Sequence, residues 1–241
     1  MKEIYEQNTY PVLSKRLGDR IYTSIARVRG QKTRCYALDE NGVKNFEVSN
    51  GKIQFIVSEL LTLLNIPASP IFKDNKLDGW FSEDADKQIK SLKSNFDKDN
   101  LKKIKFESDS FILGLVFNDI DHKTNHNEKE GIFFDFDSAC IYFSDERIEI
   151  LRSSIQERFQ NEKEYIIDNY NQSMQDSFYQ DVKTRIINFY NDLNIKKGSD
   201  FIGDIFNKSG FTEYNSEEIR LSILKWLDVV LEELNKFLIN K

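Results

Sequence analysis

Apolar residues recur at Ile53, Ile56, Val57, Leu60, Leu61 and Leu64. Steps of three and four residues place them on one side of a helical period, so the stretch predicts an amphipathic helix over 53–65, about three turns long. Pro67 and Pro70 follow at once. A proline biases its predecessor away from helical backbone, which ends the helix near Asn65. Ahead of it the pattern differs. RIYTSIARV and RCYAL are rich in β-branched and aromatic residues, VKNFEV alternates roughly, and Asp39-Glu40-Asn41-Gly42 is turn chemistry. Residues 8–50 therefore predict β-structure with a hairpin across that turn. PIFKDNKLDGWFSED predicts a short strand, a turn at Asp78-Gly79 and an aromatic strand end.

Beyond residue 85 helical patterns dominate. ADKQIKSLKSNF reads as a charged amphipathic helix, its lysines a solvated face, and DSFILGLVFN as a short apolar one. GIFFDFD reads as a strand, with Asp135 and Asp137 on one face of it. Three or four long helical segments are then expected, over roughly 146–170, 173–193, 198–208 and 216–239. The last carries Leu221, Ile223, Leu224, Leu227, Val230, Leu231 and Leu234 near one face. The order implies an α+β, two-lobed chain. A small β-rich lobe over 1–84 has one central helix, and a mostly helical lobe covers 85–241.

Composition narrows the function classes. A length of 241 residues suffices for one large domain or two small lobes with a real core. Nineteen Phe and ten Tyr make that core aromatic. A net charge of −6 supplies no global basic field, which disfavours sequence-independent nucleic-acid binding. Cys35 and Cys140 form no CxxC and support neither a disulfide framework nor a zinc knuckle. No apolar run approaches the ~18 residues of a membrane span, and MKEIYEQNTY has no apolar signal core. A soluble cytoplasmic protein without a membrane partner is the expectation.

The densest chemistry lies in NDIDHKTNHNEKEGIFFDFDSA, residues 118–139. Asp119/Asp121 and Asp135/Asp137 are two Asp-x-Asp pairs, and Asn125 and Asn127 lie between them. Paired carboxylates among phenylalanines repel and lose solvation unless a cation compensates, and hard oxygen donors suit magnesium. The plain alternative is a solvated strand end. His122 and His126 have zinc spacing, but no Glu follows the first, so they read as polar loop residues. Glu59, inside the central helix, is either a chance charge or the partner of a lysine at a nucleotide site. Trp80 and Phe81 read as packing aromatics. There is no GxxxxGK[ST], no GxGxxG and no nucleophile triad.

Four pieces resemble the HipA-like kinase family, and more distantly the phosphatidylinositol kinases. VRGQKTRCYALDENGVKNFEVSNGKIQFIVSELLTLLNIPASPIF is similar to the family's hairpin, nucleotide-contacting strand and glutamate-bearing helix. FILGLVFNDIDHKTNHN resembles the helix and catalytic loop, here 118–127. GIFFDFDSA resembles the metal-binding strand, here 131–137, and the helical tail fits a reduced large lobe. The resemblance implies ATP and Mg2+ as cofactors and a protein Ser/Thr hydroxyl as acceptor. It makes Asp121 the catalytic aspartate, with Asp119 as the alternative, and Lys123 the neutraliser of the transferring phosphoryl group. It assigns Asp135, Asn125 and Asn127 to the metal, with Asp137 a further candidate. Glu59 pairs with the small-lobe lysine. The lysine position falls on Ser49, with Lys44 and Lys52 nearby. Many relatives are toxins with a neighbouring antitoxin partner. Two other classes remain open: a pseudokinase that binds nucleotide or a partner without turnover, and a metal-dependent nucleotidyltransferase.

Overall fold

The computed structural model describes residues 9–10, 15–17, 20–22, 25–27, 35–38, 44–74, 79–82, 100–119, 126–127 and 132–239. The side chains it describes lie within 48–73, 79–82, 104–119, 132–195 and 200–239. The chain is mixed α+β and mostly helical, and among the described residues most of its strands lie in the amino-terminal third.

The β pattern predicted for 8–50 resolves into short strands. These are β1 (Thr9–Tyr10), β2 (Lys15–Leu17), β3 (Arg20–Tyr22), β4 (Ile25–Arg27), β5 (Cys35–Leu38) and β6 (Lys44–Glu47). The first helix, α1 (Gly51–Leu63), follows, then β7 (Ile71–Asp74) and β8 (Gly79–Ser82). Six of these strands form one antiparallel sheet in the order β1-β4-β5-β6-β8-β7, and β2 pairs with β3 alone. The expected hairpin is present: Leu38 faces Lys44 and Tyr36 faces Phe46. β8 joins the sheet through Phe46 opposite Ser82, so the strands on either side of α1 lie next to each other.

α1 matches its predicted span to within two residues. Ile56, Val57, Leu60 and Leu61 are fully buried, as the apolar spacing requires. Asn50 starts the helix from a left-handed backbone. Gly51 comes next because Trp80 crosses there: a Cβ on Gly51 would fall 2.0 Å from the Trp80 Cβ. Trp80 also packs on Phe55, with ring centroids 5.3 Å apart, and Phe81 lies against Phe72 at 5.9 Å. Both aromatics thus do packing work, as expected.

The helical half contains α2 (Asn100–Val116), α3 (Asp145–Asn169), α4 (Gln172–Asn194), α5 (Lys196–Ser209) and α6 (Ser216–Ile239). α2 is longer than the apolar stretch 109–118 suggests. Its amphipathic start, NLKKIKFE, is already helical, and burial of Ile104 and Phe106 supplies the stabilisation that a short apolar segment lacks. The charged helix expected over 85–96 lies outside the described residues. α3 and α4 begin on side-chain caps, where Ser144 Oγ and Asn171 Oδ1 accept from the third residue on. α6 begins on a reciprocal pair: Asn215 Oδ1 accepts from Glu218 N–H at 2.8 Å and Glu218 Oε2 from Asn215 N–H at 3.1 Å. Along α6, Leu221 is exposed rather than core; the buried stripe runs through Ile219, Ile223, Trp226, Leu227, Val230 and Leu234. A 3.6-residue period places 219, 223, 226 and 230 in register and leaves 221 on the far side. Among the described residues no helix is long and apolar enough to cross a membrane.

One continuous aromatic core joins α1 to the helical half. Phe106 stacks on Phe133 at 5.2 Å, and Phe111 meets Phe159 and Phe178 at 5.6 and 5.8 Å. An arginine adds a polar tie. Arg185 of α4 donates to the Leu64 carbonyl, at the end of α1, at 3.0 Å from Nε and 2.7 Å from Nη2. It also pairs with buried Asp109 of α2 at 2.6 Å, and Lys105 reaches the same carboxylate at 2.7 Å. Burial pushes the Asp109 carboxyl up from its ordinary value, and Arg185 is the foremost of the cations pulling it back. Arg185→Met should therefore cost about 3 kcal/mol near neutral pH, because a buried carboxylate loses its main partner. An acid with a raised folded pKa favours folding most below its unfolded value of about 3.9, and that advantage fades as pH rises through the folded value. The variant lifts the folded value further, so urea unfolding should show a smaller deficit at about pH 4.5. Equal deficits at both pH values would rule out Asp109 as the group left exposed to the loss.

Candidate functional site

The segment 118–127 begins where α2 stops. Asn118 takes a left-handed φ of 48°, which ends the helix, and the Phe117 carbonyl accepts from Cys140 N–H at 2.6 Å. Asp119 is buried, and Ser138 Oγ donates to its Oδ1. Arg158 of α3 reaches in from the other side. It donates to the Gly114 carbonyl at 2.6 Å and to Asn118 Oδ1 at 3.0 Å. Burial lowers the Arg158 pKa, and the Asp119 charge works against that shift. The carboxylate of Asp119 thus links residues 118–119 to residues 138–140. It stands as a structural anchor of the loop's first residues. Asp121, Lys123 and Asn125, together with His122, lie outside the described residues.

The aspartate segment is not the strand that its alternation suggests. Only Ile132–Phe133 is strand (β10); it pairs with His126–Asn127 (β9), Ile132 opposite Asn127 and Phe133 opposite His126. The expected loop 118–127 therefore ends in a strand. Phe133 also pairs in parallel with Ala68: its N–H donates to the Pro67 carbonyl at 2.9 Å, and its carbonyl accepts from Ser69 N–H at 2.8 Å. The chain then turns at Asp135, whose φ is 66°. Core packing accounts for this turn. Phe133 and Phe136 are both fully buried in the same core, yet residues three apart in a strand point to opposite faces. A left-handed residue between them lets both rings enter one core. The consequence corrects the shared-face expectation: Asp135 is buried and Asp137 only half-buried, and no strand pleat aligns them.

The amino-terminal side meets this turn through the start of α1. Ser49 Oγ donates to Asp137 Oδ2 at 3.3 Å. Gln54, fully buried, donates from Nε2 to the Ser49 carbonyl at 2.8 Å and accepts at Oε1 from Phe136 N–H at 3.3 Å. Glu59 is half-buried one turn further along α1. Lys52 turns elsewhere, its Nζ donating to the Gly210 carbonyl at the end of α5 at 2.7 Å. Lys44 opens β6 at the hairpin end, and Ser49 follows the opposite end of that strand. The Lys44 side chain lies outside the described set.

The structure thus ties Asp119 to Ser138 and Asp137 to Ser49, on either side of the Asp135 turn, pairs Asn127 with Ile132, and turns Lys52 to Gly210. Among the described residues no three His, Cys, Asp or Glu side chains are grouped to hold a metal ion. Asp135 supplies a buried carboxylate and Asp137 a half-buried one, oxygen donors of the kind a magnesium ion takes. A cavity of about 300 Å³ between α3 and α6, against Phe159 and Phe237, contains none of these residues. Gln54, Ser138 and Arg158 are contributors that spacing alone does not single out. Gln54 did leave a trace, since it shares a helical face with Val57 and Leu61 and is the polar residue in that apolar row. No protein-family model, curated protein or solved structure matches the chain.

Proposed function

We propose that the chain is a small HipA-like kinase, transferring the γ-phosphate of ATP, with magnesium, to a protein Ser/Thr hydroxyl. One observation carries this reading. Two acidic segments, 118–119 and 135–138, are locked together by the Ser138–Asp119 and Cys140–Phe117 hydrogen bonds, next to the start of a glutamate-bearing helix that follows a hairpin strand. Phosphoryl transfer needs little from a protein beyond positioning and charge neutralisation; these carboxylates supply positions for a metal ion, and magnesium with Lys123 would supply the neutralisation. In the proposed roles Asp121 orients the acceptor hydroxyl and takes its proton, and Lys123 faces the transferring group. Asp135 holds magnesium against the nucleotide phosphates, with Asn125 or Asn127 completing the set. The two-lobed division at about residue 84 belongs to the same proposal, as does a neighbouring antitoxin as partner.

A second reading is favoured by Ser49. It occupies the position where the resemblance places a lysine, and its uncharged hydroxyl donates to Asp137 where a lysine would pair with Glu59. That suits a pseudokinase that binds nucleotide or a partner without turnover. Incubation with ATP labelled at the γ- or the α-phosphate separates the readings. Label passing from the γ position to protein, and lost in Asp121→Ala, is the expected result. Transfer from the α position would instead indicate a nucleotidyltransferase. Thermal stabilisation by ATP with no transfer under several divalent metals would leave the pseudokinase.

A further inference from the structure

Gln54 has no exposed surface and sits among apolar neighbours on α1. A buried carboxamide is costly unless both its ends are bonded, and here both are. Nε2 donates to the Ser49 carbonyl at 2.8 Å, and Oε1 accepts from Phe136 N–H at 3.3 Å. A backbone carbonyl can only accept and a backbone N–H can only donate. Glutamine therefore satisfies both partners, where glutamate keeps only the acceptor and methionine keeps neither. Ser49 Oγ in turn donates to Asp137 Oδ2 at 3.3 Å. Three hydrogen bonds thus close a clasp between the turn that opens α1 and the turn bearing Asp135 and Asp137, with Gln54 and Phe136 separated by 82 positions in the chain.

The clasp grips the peptide immediately after Asp135. That residue holds a φ of 66°, a backbone that non-glycine residues keep only when their surroundings enforce it. We propose that Gln54 is a positioning residue: it ties the placement of α1, and with it Glu59, to the left-handed turn that presents the Asp135 carboxylate. Its bearing on magnesium rests on the kinase reading above; the mechanical link does not.

The test uses the full-length chain and two independent readouts. Amide hydrogen exchange without ligand is followed over 49–57 and 131–138 in wild type, Gln54→Met and Val57→Ala, the last destabilising α1 by packing alone. Gln54→Met should accelerate exchange in both segments together, by roughly tenfold beyond Val57→Ala once each is corrected for global stability. Exchange over 131–138 no faster than in Val57→Ala overturns the link, whatever the activity. The second readout is the magnesium concentration for half-maximal phosphate transfer. It should rise by roughly tenfold or more in Gln54→Met, as when a supporting partner of a metal ligand is lost, and by less in Gln54→Glu. An unchanged magnesium requirement in an active Gln54→Met protein overturns the positioning role and leaves the kinase reading intact. Coupled exchange in a wild-type protein that transfers no phosphate supports the clasp and overturns only the kinase reading.

Discussion

Asp135→Asn is expected to transfer phosphate from ATP roughly 10³-fold more slowly than the wild-type protein, while unfolding at nearly the same temperature. The substitution keeps size and shape and removes one charge. It also keeps the backbone. Asp135 holds a φ of 66°, and asparagine is among the few residues that occupy that region readily, so the turn that buries Phe133 and Phe136 survives. What is lost is the anionic oxygen that would hold magnesium against the nucleotide phosphates. A neutral carboxamide binds a hard divalent ion poorly, so the magnesium requirement should rise as the rate falls. Asp135→Ala is a poorer probe, because alanine adds backbone strain to the loss of charge. Full activity in Asp135→Asn would remove this aspartate from the mechanism. Loss of activity together with a large drop in unfolding temperature would assign it a structural role.

Trp226→Ala should be the most destabilising single change among the core residues named here, at about 4 kcal/mol. Trp226 is buried in α6 and stacks almost parallel on Phe143, with centroids 5.0 Å apart. Its indole N–H donates at 2.9 Å to the Leu115 carbonyl, one turn before the loop that begins at Asn118. Truncation loses a large ring, leaves a cavity and strands a buried carbonyl. Trp226→Phe separates these effects. It retains most of the stacking and loses the hydrogen bond together with only the outer part of the ring, which should cost about 2 kcal/mol. Equilibrium unfolding in urea measures both. A Trp226→Ala deficit below about 1 kcal/mol would mean that α6 can close over the gap.

Much of the architecture was legible in the chain because it depends on local periodicity. The spacing from Ile53 to Leu64 predicts α1, and the Asp39–Gly42 turn predicts the β5–β6 hairpin, where Leu38 indeed faces Lys44. The four long helices near the carboxyl end fall close to their expected bounds. The aspartate segment was misread for a physical reason. GIFFDFD alternates like a strand, but alternation describes a chain with one buried face, and here Phe133 and Phe136 must enter the same core. Asp135 therefore turns, and the two carboxylates part. Leu221 shows the same limit in a helix, where being apolar did not make it core.

By itself the sequence determined the α+β order, the position of the central helix, the aromatic character of the core and the concentration of acidic chemistry in residues 118–139. These follow from spacing and residue type, which act over a few turns of chain. Only the tertiary structure decided that Asp119 anchors to Ser138 beside Arg158, that Lys52 turns to Gly210, and that Gln54 joins α1 to the Asp135 turn. Each of these is a contact between segments far apart in the chain. Which buried polar group finds which partner depends on how the elements stack, and no local period encodes it.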